Sequence, residues 1–333
     1  MREAVYISVL IPVFNEDENI FPLWQALQPA LEALGKPFEV IFVNDGSRDG
    51  TEAKLSAVAA GDARVRVINF RRNLGQTAAT MAGIDHARGA IIVPMDGDLQ
   101  NDPKDIARLV AKLSDGYDVV SGWRQARQDN FVRRTFPSRI ANWLISKVSG
   151  VKLRDYGCTL KAYRREVLQG FRLYGEMHRF VPIYAHWQGG RITEIPVAHH
   201  PRRFGQSKYG LNRILKVLLD LMVVKFLTQY ATKPIYVFGL IGLAFMVLAV
   251  LAGIYAIYLK FAHEISLVQT PLPLLVTLSF ITGVMCTLMG LLAELLVRVY
   301  FGLQHEAHYP IKSKLNFEPD RAPVLPVQEE PIF

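Results

Sequence analysis

The tightest limit on what this chain can fold into lies near its C-terminal end. Ile235 to Leu259 contains no charged residue, and neither does Ile265 to Ala293. Each run exceeds the roughly 20 residues a helix needs to cross the hydrocarbon core of a bilayer. A buried core helix can be equally apolar, but two such runs in succession, with little more than Lys260, His263 and Glu264 between them, read as a transmembrane hairpin. Arg213, Lys216, Lys225 and Lys233 precede the first run, and Arg298, Lys312 and Lys314 follow the second. This enrichment in Lys and Arg puts both flanks on the cytoplasmic side. Val5 to Phe14 is short and interrupted by Pro12, so it does not read as a signal peptide. The expectation is a multi-pass protein of the inner (plasma) membrane whose globular part is cytoplasmic.

Composition supports that placement. The formal net charge of +8 suits a surface facing anionic lipid or phosphates. With two apolar spans in the chain, lipid explains the charge better than nucleic acid does. Cys158 falls in the globular part and Cys286 inside the second span, so they are expected to stay reduced and unpaired.

Ahead of the spans, short apolar runs alternate with longer amphipathic ones. Ile7 to Pro12, Val40 to Asn44, Val65 to Phe70, Ile91 to Met95 and Val119 to Trp123 read as strands, with helical spacing between them. Such alternation predicts an α/β fold with a mainly parallel sheet and helices on both faces. Ligands bind these sheets at the carboxyl ends of the strands. The polar residues gather there: Asn15 and Glu16 after the first strand, Asn44 and Asp45 after the second, Asp96 and Asp98 after the fourth.

The stretch "VPMDGDLQNDP" (93–103) admits two readings. It is either a surface turn, with Asp102-Pro103 starting the next helix, or a divalent-metal site in which Asp96, Asp98 and Gln100 offer oxygen ligands. Its place at a strand end favours the metal. An EF-hand is excluded, because Asn101 and Ala107 stand where such a loop needs Gly and Glu. No G-x-G-x-x-G follows the first strand and no G-x-x-x-x-G-K-[ST] occurs, which disfavours Rossmann dehydrogenases and P-loop NTPases. Without a glycine-rich cradle, a nucleoside diphosphate needs another counter-charge, and a metal on Asp98 supplies one.

Six stretches carry a resemblance: "VLIPVFNEDENI", "FVNDGSRDGT", "NLGQTAATMAGIDHARG", "PMDGDLQNDP", "DYGCTLKAYRREV" and "HHPRRFGQSKYG". In this order they resemble the motifs of family 2 glycosyltransferases that load a sugar onto a polyprenyl phosphate. That group includes dolichyl-phosphate mannose synthases, undecaprenyl-phosphate glucosyltransferases and the undecaprenyl-phosphate aminoarabinose transferase. The resemblance implies a GT-A catalytic domain over 1–207, an interfacial amphipathic helix over 208–233, two transmembrane helices over 234–299 and a cytosolic tail over 300–333.

Carried over position by position, the resemblance assigns Asp45, Pro12, Phe14 and Glu16 to the base and ribose of a nucleotide sugar, and Asp96 to ribose or metal. Asp98 and Gln100 would hold Mg2+ or Mn2+ on the diphosphate. Arg124, Arg134 and Ser138 would bind the acceptor phosphate, with Arg133 and Arg134 interchangeable in register. Arg202, Ser207 and Lys208 would close over the diphosphate, and Asp155 would act as a base or orient a substrate. Taken alone, Asp45 also fits an Asx turn, the arginines around 124–139 a solvated helical face, and 199–210 a basic flank of the first span. Glu176 and His178 are weaker candidates for sugar contacts.

The implied reaction is inverting transfer of a hexose to undecaprenyl phosphate at the cytoplasmic face. UDP-glucose is the first choice of donor, with a UDP-linked aminoarabinose derivative or GDP-mannose as alternatives. A homo-tetramer is compatible with the group. A processive polysaccharide synthase is disfavoured, since the chain lacks a longer transmembrane channel and a Q-x-x-R-W segment. A non-catalytic membrane scaffold would have no use for the retained carboxylates. The uncharged spans read as an anchor, with Gly239, Gly242, Ala249 and Gly253 available for helix packing. A fragment ending before Pro234 is accordingly expected to keep nucleotide binding.

Overall fold

The computed structural model describes residues 4–124, 145–146, 149–168, 180–187, 189–201, 235–302 and 309–317, without the side chains of 297–302. It divides into two compact units, a catalytic-type sheet unit and a helical hairpin. Arg134, Ser138, Arg202, Ser207, Lys208, Glu176, His178 and the interfacial helix expected over 208–233 lie outside the described residues.

The sheet unit begins as anticipated. β1 (Ile7–Val13), α1 (Asp17–Glu32), β2 (Phe38–Asn44), α2 (Thr51–Gly61), β3 (Val65–Phe70), α3 (Gln76–His86) and β4 (Ile91–Pro94) alternate along the chain. α4 (Asp105–Leu113), β5 (Val119–Arg124), β6 (Lys161–Arg164), the short α5 (Val181–Trp187) and β7 (Ile192–Val197) follow. β1, β2 and β3 are buried almost throughout, as strands covered by helices on both faces must be. α1 turns Ile20, Leu23, Leu27 and Leu31 inward at helical spacing, and α4 does the same with Ile106, Leu109, Val110 and Leu113.

Strand order is β7-β5-β6-β4-β1-β2-β3-β8, with β8 being Ile311–Leu315. The pairs β1/β2, β1/β4, β2/β3 and β5/β7 are parallel, while β6 runs antiparallel to both β4 and β5. The expected tail contributes a strand to the sheet. Ile311–Leu315 forms β8, which pairs antiparallel with the outer edge of β3. A fragment ending before Pro234 would therefore lack a strand of its own sheet and expose the β3 edge, a template for aggregation. Phe317 adds to the loss, since its ring lies 3.8 Å under the Arg66 guanidinium and edge-on to His86.

The hairpin consists of α6 (Ile235–Ala262) and α7 (Leu272–Gly302), both long and apolar enough to span a membrane. Only small residues of α6 are buried: Gly242, Ala249, Ala252 and Ala256. A Cβ on Gly242 would lie 2.7 Å from the Gly283 carbonyl oxygen, so the two backbones touch where side chains are absent. Gly239 and Gly253, expected to share that role, meet nothing closer than 3.9 Å. Leu240, Leu243, Val250, Ile254, Leu278, Leu288 and Leu295 point outward. A soluble core helix would bury such side chains, so their exposure suits lipid rather than water.

At the amino-terminal end of the sheet, Glu39 is fully buried. It accepts hydrogen bonds from Ser8 Oγ (2.7 Å), Arg66 Nη1 (2.8 Å), Arg88 N (2.7 Å) and Arg88 Nε (3.0 Å). Burial alone would raise its pKa, but these donors and the two guanidinium charges outweigh it and hold the carboxyl below its usual range. A carboxyl with a depressed folded-state pKa stabilises fully above the unfolded pKa, and that contribution is lost as pH falls through the folded value. Glu39→Gln should therefore cost about 3 kcal/mol of stability at pH 7. Thermal unfolding of the detergent-solubilised chain should show that deficit shrinking below about pH 4.

Candidate active site

Three loops at the carboxyl ends of β1, β2 and β3 are stitched together by short polar side chains. Asn15, with a positive φ of 52°, donates its N–H to Ser47 Oγ (2.9 Å) and accepts from Arg48 N (2.9 Å). Gly46 has φ 68°, and a Cβ there would meet the Arg72 carbonyl carbon at 2.5 Å, so only glycine lets the second and third loops touch. The turn after β2 is closed by Asn44, whose Oδ1 accepts Ser47 N at 3.0 Å. Asp45 accepts from the backbone N–H groups of Leu74 (2.7 Å) and Gly75 (2.9 Å), fixing the loop into α3. Burial raises the Asp45 pKa, against the pull of those two donors.

Phe14 and Asn15 line a cleft of about 350 Å³ with Gly46, Arg48, Arg71 and Arg72. Pro12 sits at the end of β1 opposite Val43, and Glu16 donates its N–H to Thr51 Oγ1 (3.0 Å). These positions put the expected nucleotide-contacting residues Pro12, Phe14, Glu16 and Asp45 on adjoining loops. The arginines of the third loop were not singled out by sequence reasoning, although they immediately precede the quoted "NLGQ" stretch.

The loop after β4 is bent at Leu99, which takes a positive φ of 61° that a bulky side chain rarely adopts. Asp98 is buried and its Oδ1 accepts Gln100 N (3.2 Å). Asp96 accepts from Gln76 Nε2 (2.8 Å), and its pKa is raised by burial and then by the neighbouring Asp98 charge, against help from the Thr159 hydroxyl. Gln100 Nε2 donates to His200 O (3.4 Å), and the Gln100 backbone carbonyl accepts His200 N (2.8 Å). Asp102 is a turn residue of the stretch, with Lys104 N on its Oδ1 at 3.0 Å. The turn reading of 93–103 holds at both Asp98 and Asp102, each of which accepts the backbone N–H two residues on. Among the described residues, no group of three or more His, Cys, Asp or Glu side chains has metal-holding geometry. The crowded Asp96/Asp98 pair nevertheless fits a hard cation, which would take its remaining ligands from phosphate and water.

Arg124 and Asp155, expected in separate roles, form one unit. The guanidinium donates Nε to Oδ2 (2.7 Å) and Nη2 to Oδ1 (3.0 Å), a forked pair that is largely buried. Asp155 Oδ1 also accepts Gly157 N (3.1 Å). Both carboxylate oxygens of Asp155 thus accept hydrogen bonds. Burial would lower the Arg124 pKa, but the bonds and charge of Asp155 raise it, and Asp96 adds to the pull. Cys158, next to this cluster, is pushed up to about 11 by burial and stays a thiol.

A β/α sheet carrying paired carboxylates and a held arginine at its carboxyl edge is the frame of a sugar-nucleotide transferase. The chain belongs to glycosyl transferase family 2: the model of that family matches residues 8–171. It is 38% identical over 317 residues to a dodecaprenyl-phosphate galacturonate synthase of Rhizobium johnstonii, covering 93% of each chain. It is 37% identical over 305 residues to an undecaprenyl-phosphate 4-deoxy-4-formamido-L-arabinose transferase of Salmonella paratyphi B, covering 91% of each. Among solved structures, glucosyl-3-phosphoglycerate synthase from Mycobacterium tuberculosis with bound UDP shares the fold, with TM-score 0.53, 20% identity and coverage of 66% of this chain and 80% of that one. The same enzyme with Mn2+, UDP and glucosyl-3-phosphoglycerate gives TM-score 0.52, 20% identity and coverage of 67% and 79%. The chain is a glycosyltransferase of GT-A type.

Asp96 supplies a check. A carboxyl whose folded-state pKa is raised destabilises the fold when ionised; its stabilising contribution exists below the unfolded pKa and is lost as pH rises through the folded value. Asp96→Asn should therefore unfold at a higher temperature than wild type at pH 7 without divalent cations. Thermal scans should show that advantage vanish in acid, below about pH 4, where both proteins are neutral at this position.

Proposed function

We propose that this protein transfers a sugar from a nucleoside-diphosphate donor to a polyprenyl phosphate at the cytoplasmic face of a membrane, with inversion and in the presence of Mg2+ or Mn2+. The observation that carries the reading is the convergence of Asp96, Asp98 and the Arg124–Asp155 pair at the ends of β4 and β5. It gains weight from relatives, similar over nine-tenths of the chain, that are named for loading sugars onto polyprenyl phosphates. The exposed apolar faces of α6 and α7 supply the membrane attachment that a polyprenyl acceptor requires.

The chemistry is a single displacement at the anomeric carbon. The acceptor phosphate oxygen attacks, and the nucleoside diphosphate leaves. An acceptor phosphate monoester has a second pKa of about 6, so it is largely dianionic at neutral pH and needs no strong base. This agrees with Asp155 having both oxygens occupied by Arg124 and Gly157. Arg124, held at one edge by Asp155, keeps N–H groups for an acceptor phosphate. A divalent cation on Asp98, with Asp96 beside it, would neutralise charge on the departing diphosphate.

The donor changes from the expectation. UDP-glucose was the first choice from the motifs, whereas the named relatives transfer galacturonate or 4-deoxy-4-formamido-L-arabinose. The relative at 38% identity, a dodecaprenyl-phosphate galacturonate synthase, supports testing a galacturonate donor first. Membranes carrying the full chain, given undecaprenyl phosphate, Mn2+ and labelled UDP-galacturonate, UDP-glucose or UDP-4-deoxy-4-formamido-L-arabinose in separate reactions, should form a mild-acid-labile lipid fastest with galacturonate. Asp98→Asn should lower that rate about a hundredfold or more while leaving the fold intact. No lipid product from any of the three donors, or undiminished turnover by a folded Asp98→Asn protein, sinks the reading.

A further inference from the structure

One row of side chains runs across the carboxyl end of the sheet from its last strand to its first loop. Asn44 of β2, Asn69 of β3 and Ser313 of β8 occupy successive partner positions in the strand register. Asn69 donates Nδ2 to Ser313 Oγ (2.9 Å) and accepts from Asn44 Nδ2 at its own Oδ1 (2.9 Å). Asn44 Oδ1 in turn accepts Ser47 N (3.0 Å), and Ser47 Oγ accepts Asn15 N (2.9 Å). Both asparagine side chains are 1% exposed, so an amide group deprived of its partner has little water to turn to. Such networks act as units, because each amide's orientation is set by the next.

β8 grips the third loop as well. Arg71 N donates to Pro310 O (2.8 Å), Tyr309 stacks on Phe70 with ring centroids 5.7 Å apart, and the strand register shifts between Asn69 and Phe70. Lys312 adds a paired contact to Glu52 (2.8 Å). The loops so held, 14–16, 45–48 and 71–75, carry the residues assigned above to the nucleotide.

We propose that the Ser313–Asn69–Asn44 row is a positioning relay for the donor: Ser313 of β8, encoded after the hairpin and not itself lining the cleft, sets the loops that receive the nucleotide. The inference rests on the donor-site reading. Its consequence is selective. Loosening Ser313 should weaken nucleotide binding while leaving the acceptor side, built on Arg124 and Asp155, unaffected.

The test uses the full chain in detergent with UDP and Mn2+ as the probe, followed by lipid-product kinetics. Ser313→Ala, and Ser313→Cys as a variant of similar volume with a weak acceptor, should each raise the Kd for UDP about five- to tenfold, the equivalent of one buried hydrogen bond. The KM for polyprenyl phosphate should stay within about twofold of wild type on the same reasoning, and Ser313→Thr, which keeps the hydroxyl, should restore UDP affinity. Wild type that binds UDP while both variants bind it equally well overturns the relay alone. So does an equal rise in both substrates' KM, or a Ser313→Thr protein as weak as Ser313→Ala. Wild type that fails to bind UDP overturns the donor-site reading and the relay with it.

Discussion

β3 has no hydrogen-bonding partner along its outer edge until the chain has passed through two long apolar helices and returned as β8. This constraint organises the molecule. An open strand edge is a row of unpaired donors and acceptors that other chains can extend. The segment that covers it here lies beyond the hairpin in sequence, with Arg66, His86 and Asn316 closing around its end. Asn316 Nδ2 donates to the carbonyls of Ala59 and Val65, both at 2.7 Å, so β8 is tied to α2 and β3 as well as to its ladder. The sheet unit is discontinuous in sequence, and its stability cannot be separated from residues that follow the apolar helices.

Electrostatics divide the sheet between its two ends. At the amino-terminal end, Glu39 lies between two guanidinium groups and is held ionised by more donors than burial can oppose. At the carboxyl end the balance is reversed: burial outweighs the two backbone donors of Asp45, and burial with the Asp98 charge outweighs the donors of Asp96, so both pKa values are raised. The first arrangement is what a finished structural ion pair looks like. The second is an arrangement short of positive charge, which suits a site completed by its ligands. Arg124 lies between the two cases, since Asp155 fixes one edge of the guanidinium while its charge also acts on Asp96.

Much of this was legible in the sequence for a definite reason. Doubly covered strands must be apolar runs, so β1 to β5 announce themselves, and the polar residues that break each run mark the ligand edge. β8 escaped because "IKSKL" is short, has three polar residues between its two apolar ones, and belongs to a segment whose charge reads as a membrane flank. Composition says that a helix has small residues but not which face they line; burial picks out Gly242, Ala249, Ala252 and Ala256, and a Cβ on Gly253 would meet Val276 of α7 at 3.9 Å. The pairing of Arg124 with Asp155 was invisible for another reason. Thirty-one positions separate them, and nothing local marks a contact made by β5 reaching the segment before β6.

The stretch "FVNDGSRDGT" shows how one motif serves several physical ends at once. Asn44 spends its carbonyl oxygen on the turn and its amide on the row toward β8. Asp45 points both oxygens at the loop that opens α3, and Gly46 leaves the space in which that loop can approach. No one of the three can be exchanged without disturbing a different neighbour. Loss of the amide at 44 would break the row, a side chain at 46 would strike the Arg72 backbone, and loss of the carboxylate at 45 would leave two backbone N–H groups without their acceptor. The motif is therefore the point where the covered edge at β8, the third loop and the nucleotide-facing loops are tied together. Binding residues carried on loops become precise through such ties to a rigid sheet.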